Sequence, residues 1–395
     1  MSTEKLQNII INKAKELSSY IIEKRRHLHM NPETAFEEYE TQVFIEKELQ
    51  KIGYETKKIA KTGVLAILEG KELGLTIGLR ADIDALNVQE ENEVEYKSRN
   101  KGKMHACGHD AHTAMLLGAA KIIYEHKDKL VGKIKLIFQP AEEGDGGGKL
   151  VTEEGILDDV DYVYGLHVWG DNDAGTIETR VGPFLASSDS FIITITGKGG
   201  HAASPHETFD PTSVLVDIYN ALQKIISREI DPLEHVVLSS PRLSGSDAHN
   251  IIPARAVLEG TFRTFNEEIR EFILKRLKEV TEGYSKAWRC EAEIKLHDPA
   301  YPPVVNNEEA VELAKKVLSA LDTVSEAKMT MGGEDFAYYL KKTKGAFITL
   351  GTRNEEKGIT APHHHPKFDV DESVLWKGTA IYALLGFLNC FKDIL

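Results

Sequence analysis

The chain has 395 residues, of which 42% are hydrophobic, and a formal net charge of −14. This length and apolar content predict a large core and more than one domain, and the acidic balance argues against nucleic acid as a partner because no strong basic face can neutralise phosphates. No stretch reaches the roughly eighteen apolar residues of a membrane span, and the charged N-terminal residues are not typical of a secretory signal. Three widely spaced cysteines, at positions 107, 290 and 390, predict no disulfide framework, so we expect a cytoplasmic setting.

The first predicted element in chain order is one helix that ends at Asn31-Pro32. Its apolar residues recur at helical spacing, at Leu6, Ile9, Ile10, Ala14, Leu17 and Ile21. A second helix is expected over residues 37–52. Short apolar runs bounded by glycine or polar residues follow and are typical of buried strands, at 64–68, 75–79, 134–138, 162–166 and 346–350. Helical stretches such as 111–126 lie between some of them. This alternation predicts an α/β domain with a largely parallel sheet.

The middle of the chain has a different order of elements. Strand and helix patterns follow one another as β-α-β-β-α-β, over 191–196, 210–230, 235–239, 256–264, 266–288 and 291–296. This order is the split unit of ferredoxin-like folds. Turn residues cluster at Gly182-Pro183 and Asp298-Pro299. We therefore expect residues 184–297 to form a separate domain, inserted into a first domain made of residues 1–183 and 298–395.

Metal-binding residue types stand at the ends of these predicted elements. They follow strands or precede a helix at Asp82, Asp84, Cys107, His109, Glu142, Glu143, His167 and the run His363, His364 and His365. Because ligands bind beyond the carboxyl ends of the strands in open α/β sheets, we expect these side chains to meet at one edge. Thiolate, imidazole and carboxylate together suit a borderline ion such as Zn²⁺. One of two adjacent glutamates can then bind the ion while the other takes a proton from the attacking water.

Each of these signals also has a purely structural interpretation. Cys107 fits a buried cysteine beside a helix cap equally well, and Glu142 with Glu143 fits a solvated turn. His167 fits a buried core histidine, and the triple histidine fits a surface turn. The convergence of separate segments is what favours a site. A nucleophile elbow of the Gly-x-Ser-x-Gly type is absent from the sequence, which argues against serine chemistry.

Seven stretches resemble one family of metallopeptidases. They are RRHLHMNPE (25–33), LRADIDAL (79–86), MHACGHD (104–110), FQPAEEG (138–144), GGHAA (199–203), NIIP (250–253) and GEDF (333–336). The family holds carboxypeptidases, aminoacylases, hippurate hydrolases, auxin-conjugate hydrolases and N-acetyl-diaminopimelate deacetylases. Within it, the sequence most resembles the thermostable archaeal carboxypeptidases.

The resemblance implies a metal-bearing α/β domain with an inserted ferredoxin-like lid that mediates dimerisation. It implies the metal ligands Cys107, His109, Glu143, His167 and His364, with Glu142 as the general base. His364 is chosen because it lies four residues before Phe368, although His363 and His365 flank it. It also implies that Asp82, Asp84 and Glu334 orient the ligands.

Residues of the inserted segment are expected to act on the substrate. By resemblance, His201 reaches the site of a partner subunit and stabilises the oxyanion. Asn250 and Arg263 are candidates to hold a substrate carboxylate, a task that suits an arginine fork. Both also fit structural roles in a turn or on a strand surface.

The expected reaction is metal-dependent hydrolysis of an amide bond next to a free carboxylate, as a carboxypeptidase, an N-acyl-amino-acid amidohydrolase (aminoacylase) or both. The expected cofactor is one or two Zn ions, with Co, Mn or Ni as alternatives, and the expected assembly is a homodimer or a higher homo-oligomer. Three alternatives stay open. They are a dedicated deacylase of one N-acetyl amino acid such as N-acetyl-diaminopimelate, a catalytically silent metal-binding scaffold, and a cysteine enzyme built on Cys107 with His109 or His112 as base.

Overall fold

The structure, a computed structural model, describes residues 2–391. The α-helices of this part of the chain are α1 Thr3–Glu16, α2 Ser18–Met30, α3 Tyr39–Ile52, α4 His109–Glu125, α5 Gly147–Glu153, α6 Pro211–Glu229, α7 Glu267–Ala287, α8 Glu308–Leu318, α9 Ala337–Lys342 and α10 Leu375–Gly386. No helix within residues 2–391 is long and apolar enough to cross a membrane.

The strands include every predicted apolar run. They are β1 Thr56–Ile59, β2 Gly63–Glu69, β3 Glu72–Asp82, β4 Val131–Gln139, β5 Tyr162–Asp173, β6 Ile177–Thr179, β7 Gly182–Leu185, β8 Asp189–Thr196, β9 Gly200–His201, β10 Val236–Ser244, β11 Ile251–Ile252, β12 Arg255–Thr264, β13 Glu291–Leu296, β14 Val304–Asn306, β15 Val324–Glu326 and β16 Lys344–Arg353.

The described chain divides into two compact units. The first contains the residues up to Gly182, Val305–Lys328 and the residues from Asp335 onward. The second contains Pro183–Val304 and Met329–Glu334.

One eight-stranded sheet organises the first unit, in the order β1-β2-β4-β3-β5-β16-β6-β15. Its centre is parallel, because β3 runs parallel to both β4 and β5, and β5 runs parallel to β16. Towards the edges, β2 is antiparallel to β1 and β4, and β6 is antiparallel to β16. The predicted parallel pairing is present at the centre and between β6 and β15, but the sheet as a whole is mixed. Only residues 60–62 connect β1 to β2, too few for the crossover that parallel pairing requires.

The centre of this sheet forms the core of the unit. Ile77 and Leu79 of β3 and Leu136 of β4 are completely buried, and α4 and α10 pack against each other and against β3. Burying each such side chain contributes about 1.5–3 kcal/mol. The strand ends that carry polar residues are thus held on a rigid support.

The predicted first helix is two helices. At Leu17 the backbone leaves the helical region, with ψ near 1°, and the Ser18 hydroxyl donates a hydrogen bond to the Lys15 carbonyl. A serine that bonds to nearby backbone in this way competes with the helical hydrogen bonds. The apolar periodicity continues across the break and does not reveal it.

The second unit contains a four-stranded antiparallel sheet of order β10-β12-β8-β13. Its helices α6 and α7 bury Ile218 and Leu277 in a common core with Ile193 of β8. Both helices begin where side-chain caps predict. Asp210 accepts a hydrogen bond from the Thr212 N–H, and Asn266 accepts one from the Glu268 N–H.

Candidate metal centre

The carboxyl ends of β3 and β4, at Asp82 and Gln139, lie at one edge of the first unit's sheet. β5 continues past them, so His167 lies within this strand and does not follow it. The loop before α4 approaches this edge closely. Gly108, at φ +91°, allows the approach, because a Cβ atom there would lie 2.3 Å from Cγ2 of Val168. Cys107 and His109, on either side of this glycine, therefore lie beside His167 of β5.

Cys107, His109 and Glu143 form the centre of the site. Their candidate ligand atoms all lie within 4.8 Å of one another. Nε2 of His109 and Oε1 of Glu143 are 3.8 Å apart and buried, and neither atom has a hydrogen-bond partner among residues 2–391. Buried polar atoms without partners are rare and costly in folded proteins. A cation bound by these two atoms and by the Cys107 sulfur would satisfy both, so the residues fit a metal ion.

Asp84 orients two of these groups at once. Its Oδ1 lies 3.3 Å from Nδ1 of His109, and its Oδ2 accepts a 3.0 Å hydrogen bond from the Glu143 N–H. With Nδ1 held by Asp84, the Nε2 atom of His109 faces Glu143, and it can bind an ion once its proton is released. A carboxylate behind a metal-binding histidine commonly fixes the tautomer in this way.

His167 has the same arrangement with a different partner. Its Nδ1–H donates to the Val168 carbonyl at 2.5 Å, and its Nε2 lies 3.5 Å from the Cys107 sulfur. Burial keeps the pKa of His167 well below its ordinary value. The neutral imidazole therefore presents an Nε2 lone pair to the site.

The three consecutive histidines take different positions. Nε2 of His364 lies 3.5 Å from Oε2 of Glu143. His363 uses its Nε2 to accept a 3.0 Å hydrogen bond from the Gly170 N–H, although its Nδ1 lies 3.8 Å from the Cys107 sulfur. Nδ1 of His365 accepts a hydrogen bond from the Lys367 N–H. Of the three imidazoles, His364 is the one placed against Glu143.

Residues 78–386 match peptidase family M20/M25/M40. The chain belongs to this family. Thermostable carboxypeptidase 2 of Saccharolobus solfataricus is 42% identical over 387 residues, covering 97% of this chain and 98% of the relative. N-acetyl-L-cysteine deacetylase of Bacillus subtilis is 43% identical over 366 residues, covering 92% of this chain and 86% of the relative. The predicted family and the predicted metallo-amidohydrolase class are both confirmed.

A solved structure of the family supports the same assignment. The crystal structure of Bacillus subtilis YXEP protein, described as a dinuclear metal binding peptidase from the M20 family, superposes with a TM-score of 0.82 at 35% identity. The alignment covers 95% of this chain and 99% of that one. The cluster around Cys107 is therefore the candidate metal site of an M20 hydrolase.

His112 also belongs to this site. In the sequence analysis it appears only in one open alternative, as a base for Cys107. Its Nε2 accepts a 2.8 Å hydrogen bond from the Val168 N–H, so Nδ1 carries the proton that is donated to Asp82 at 2.5 Å. Both ring nitrogens are thus in use, which argues against a ligand and against a base for Cys107. The signal in the sequence was its spacing, three residues after His109 on one helix face.

Arg80 is a second residue whose role the sequence did not indicate. Its guanidinium donates to Asp82 at 2.6 Å, to Asp335 at 2.9 Å and to the Gln139 amide oxygen at 2.9 Å, all in the buried interior. Burial would raise the pKa of Asp82, but Arg80, with His109 and His112, holds it well below its ordinary value. The sequence did show an arginine next to an apolar strand, and a buried arginine requires polar partners.

The charge state of the central pair reflects its burial. Burial raises the pKa of Glu143 to about 7, although His109 opposes the rise. Burial by itself would lower the pKa of His109, but Asp82, Asp84 and Glu143 outweigh it and raise the value to about 10. A metal ligand must be deprotonated at the binding atom, so ion binding here would release a proton.

Glu142 is buried in the first unit, and the other four predicted site residues lie in the second unit. His201, in β9, is exposed, and its Nδ1 accepts a 3.0 Å hydrogen bond from the Ala203 N–H. Asn250 is adjacent, because its carbonyl accepts from the Ala202 N–H at 3.1 Å. Arg263, in β12, is half-buried and donates to the Met331 carbonyl at 3.1 Å, and Glu334 is buried. Within this unit the structure thus brings His201 and Asn250 together.

Proposed function

We propose that this M20 enzyme hydrolyses the amide bond next to a free α-carboxylate, as a carboxypeptidase, an N-acyl-amino-acid amidohydrolase or both. The observation that carries the proposal is the buried pair of atoms His109 Nε2 and Glu143 Oε1. In the described part of the chain neither atom has a hydrogen-bond partner, and both lie beside Cys107. Relatives named as a carboxypeptidase and as a deacetylase of an N-acetyl amino acid support the substrate class.

The proposed metal ligands are Cys107, His109, Glu143, His167 and His364. Sulfur, nitrogen and oxygen donors in one set suit Zn²⁺, with Co, Mn or Ni as alternatives. The relative described as dinuclear supports one or two ions. When bound, such an ion polarises a carbonyl oxygen and makes a water molecule more acidic. Asp82, Asp84 and Glu334 are proposed to orient the ligands.

Glu142 is the proposed general base. It would take a proton from the attacking water and pass it to the leaving amine, so that the carboxylate is restored. Its position next to Glu143 on one loop supports this role. The loop is closed by hydrogen bonds from the Gly147 N–H to the Ala141 carbonyl and from the Gly144 N–H to the Glu142 carbonyl, at 3.0 and 2.7 Å.

The second unit is proposed to be a ferredoxin-like lid that forms a homodimer. The strands of its four-stranded sheet and its two long helices follow one another as β8-α6-β10-β12-α7-β13, which supports this proposal. In the dimer, His201 would stabilise the oxyanion in the partner's site, while Asn250 and Arg263 would bind the substrate carboxylate. A cytoplasmic setting is part of the proposal, because all three cysteines are free thiols.

The test is a substrate panel on metal-depleted enzyme reconstituted with one divalent ion at a time. The panel contains N-acetyl and N-benzoyl amino acids, blocked dipeptides, and the same compounds with the carboxylate converted to an amide. We expect metal-dependent hydrolysis of the free acids and little of the amides. Hydrolysis of a single N-acetyl amino acid would identify a dedicated deacylase.

Two further measurements separate the mechanisms. Glu142→Gln should abolish turnover while metal content stays at the wild-type level, and loss of metal in this variant would contradict the role of Glu142 as base. Activity that persists in chelator and is lost on alkylation would support a cysteine nucleophile instead. Absence of any chelator-sensitive hydrolysis would support a silent scaffold.

A further inference from the structure

The loop that carries Glu142 begins with a residue in an unusual conformation. Ala141 has φ +55°, in the left-handed region. A residue with a Cβ atom occupies this region only when its surroundings hold it there, and such residues cluster at functional sites.

The side chain of Glu38 contacts this residue directly. Glu38 precedes α3 and is completely buried. Its Oε1 accepts a 2.9 Å hydrogen bond from the Ala141 N–H. This contact joins residues 103 positions apart and fixes the peptide that leads into Glu142.

A second turn holds the Glu38 carboxylate in place. The Thr62 hydroxyl donates to Glu38 Oε2 at 2.5 Å. Thr62 follows Ala60 and Lys61, which also lie in the left-handed region, at φ 43° and 71°. The β1–β2 turn and the Glu142 loop therefore meet at one carboxylate.

The burial of Glu38 is costly for a carboxyl group. Within residues 2–391, no lysine, arginine or histidine forms an ion pair with it, and burial, aided by the nearby Asp84, raises its pKa to about 7. An apolar side chain would fill the same space without this cost. The bond to the Ala141 N–H is what the carboxylate supplies and an apolar side chain cannot.

We propose that Glu38 is a positioning residue for catalysis. It holds Ala141 in the left-handed conformation and thereby directs the Glu142 side chain at the attacking water. This inference rests on the proposed function, in which Glu142 is the general base.

The test compares Glu38→Ala with Glu38→Gln in metal-reconstituted enzyme. The alanine variant loses the acceptor for the Ala141 N–H, so we expect kcat to fall about 10- to 100-fold, the range for a misplaced catalytic group. KM and metal affinity, measured by chelator competition, should stay at wild-type values. The glutamine variant keeps an acceptor oxygen and should retain most of kcat.

Glu37→Ala is the matched control. Glu37 is the neighbouring residue, and its carboxylate bonds to Lys103 and Thr34 at the exposed surface. We expect wild-type kcat from this variant. Wild-type kcat in Glu38→Ala, or equal losses of kcat and metal affinity in both Glu38 variants, would overturn the proposal.

If Glu38→Ala does not fold, Thr62→Val tests the proposed role of Glu38. It removes the hydroxyl that holds the carboxylate and keeps the shape of the side chain. A fall in kcat at constant KM supports the proposal, and wild-type kcat contradicts it. If Glu142→Gln is inactive while the Glu38 variants are fully active, only this inference fails. An active Glu142→Gln would instead contradict the proposed role of Glu142 as general base, on which this inference rests.

Discussion

Arg25 donates its Nε–H to Oδ2 of Asp110 at 2.9 Å, and both side chains are completely buried. The same guanidinium reaches Asp369 at 2.7 Å and Glu372 at 3.2 Å. Asp110 follows the proposed ligand His109, and Asp369 lies in the segment after the histidine run. Helix α2 therefore ties together two segments that carry proposed ligands.

Arg25→Met should lower the free energy of unfolding by about 3–5 kcal/mol, because the buried Asp110 carboxylate loses its arginine partner and keeps the His29 contact. Arg25, with His29, currently outweighs the effect of burial and holds the pKa of Asp110 well below its ordinary value. Chemical denaturation measures the loss. Arg26→Met is the control. Arg26 is half-exposed and, within residues 2–391, forms an ion pair with Glu372 alone, so its loss should cost about 1 kcal/mol or less. Equal losses in the two variants would contradict the interpretation.

A bound divalent ion should protect Cys107 from alkylation. If the thiolate is a ligand, only the metal-free fraction reacts, so an ion at about 100 times its Kd should slow the reaction about 100-fold. Mass spectrometry of the alkylated peptides gives the rate for each cysteine. Cys390, whose thiol bonds to the Lys129 carbonyl, is the internal reference and should react equally with and without metal. Unchanged reactivity of Cys107 would exclude it as a ligand.

As the pH rises from 5 to 8, the free energy of unfolding of the wild type should decrease relative to that of Glu38→Gln. The pKa of Glu38 is about 7 in the folded protein and 4.5 ordinarily. In this window the unfolded chain binds fewer protons than the folded one, so raising the pH favours unfolding. The full shift corresponds to about 3 kcal/mol. Urea unfolding of both proteins at the two pH values measures it, and a difference that does not change with pH would contradict the raised pKa.

Gly147→Ala should disrupt the loop that carries Glu142. A Cβ atom at position 147 would lie 1.7 Å from the Pro140 carbonyl oxygen, so the backbone must move. We expect a loss of about 1–3 kcal/mol in stability and a fall in kcat. The control is Gly283→Ala in α7. Apart from the helix's own backbone, no atom of the described residues would lie within 4 Å of a Cβ atom there, so alanine should stabilise the helix by about 0.5–1 kcal/mol. Wild-type kcat in Gly147→Ala would show that the loop tolerates the displacement.

Much of the fold follows from local patterns. The apolar runs that predict β3, β4, β5 and β16 all lie within strands. A strand in a sheet that is covered on both faces carries apolar side chains on both faces, which gives a continuous apolar run. The same pattern does not distinguish parallel from antiparallel neighbours. The mixed edges of the sheet depend on which strands meet in space, and the short β1–β2 connection was the one local signal of it.

The sequence by itself determined the residue types of the site and the family of the chain, since motifs such as MHACGHD and FQPAEEG are contiguous. Only the tertiary structure decided what each side chain does. His112 has the residue type of a ligand, but the Val168 N–H, 56 positions away, occupies its second nitrogen. His363, His364 and His365 are identical in type, and His364 faces Glu143 because its backbone adopts φ +65° and its N–H bonds to the Ala106 carbonyl. Ligand chemistry is thus a property of the residue, whereas a free lone pair depends on neighbours that the chain brings together only on folding.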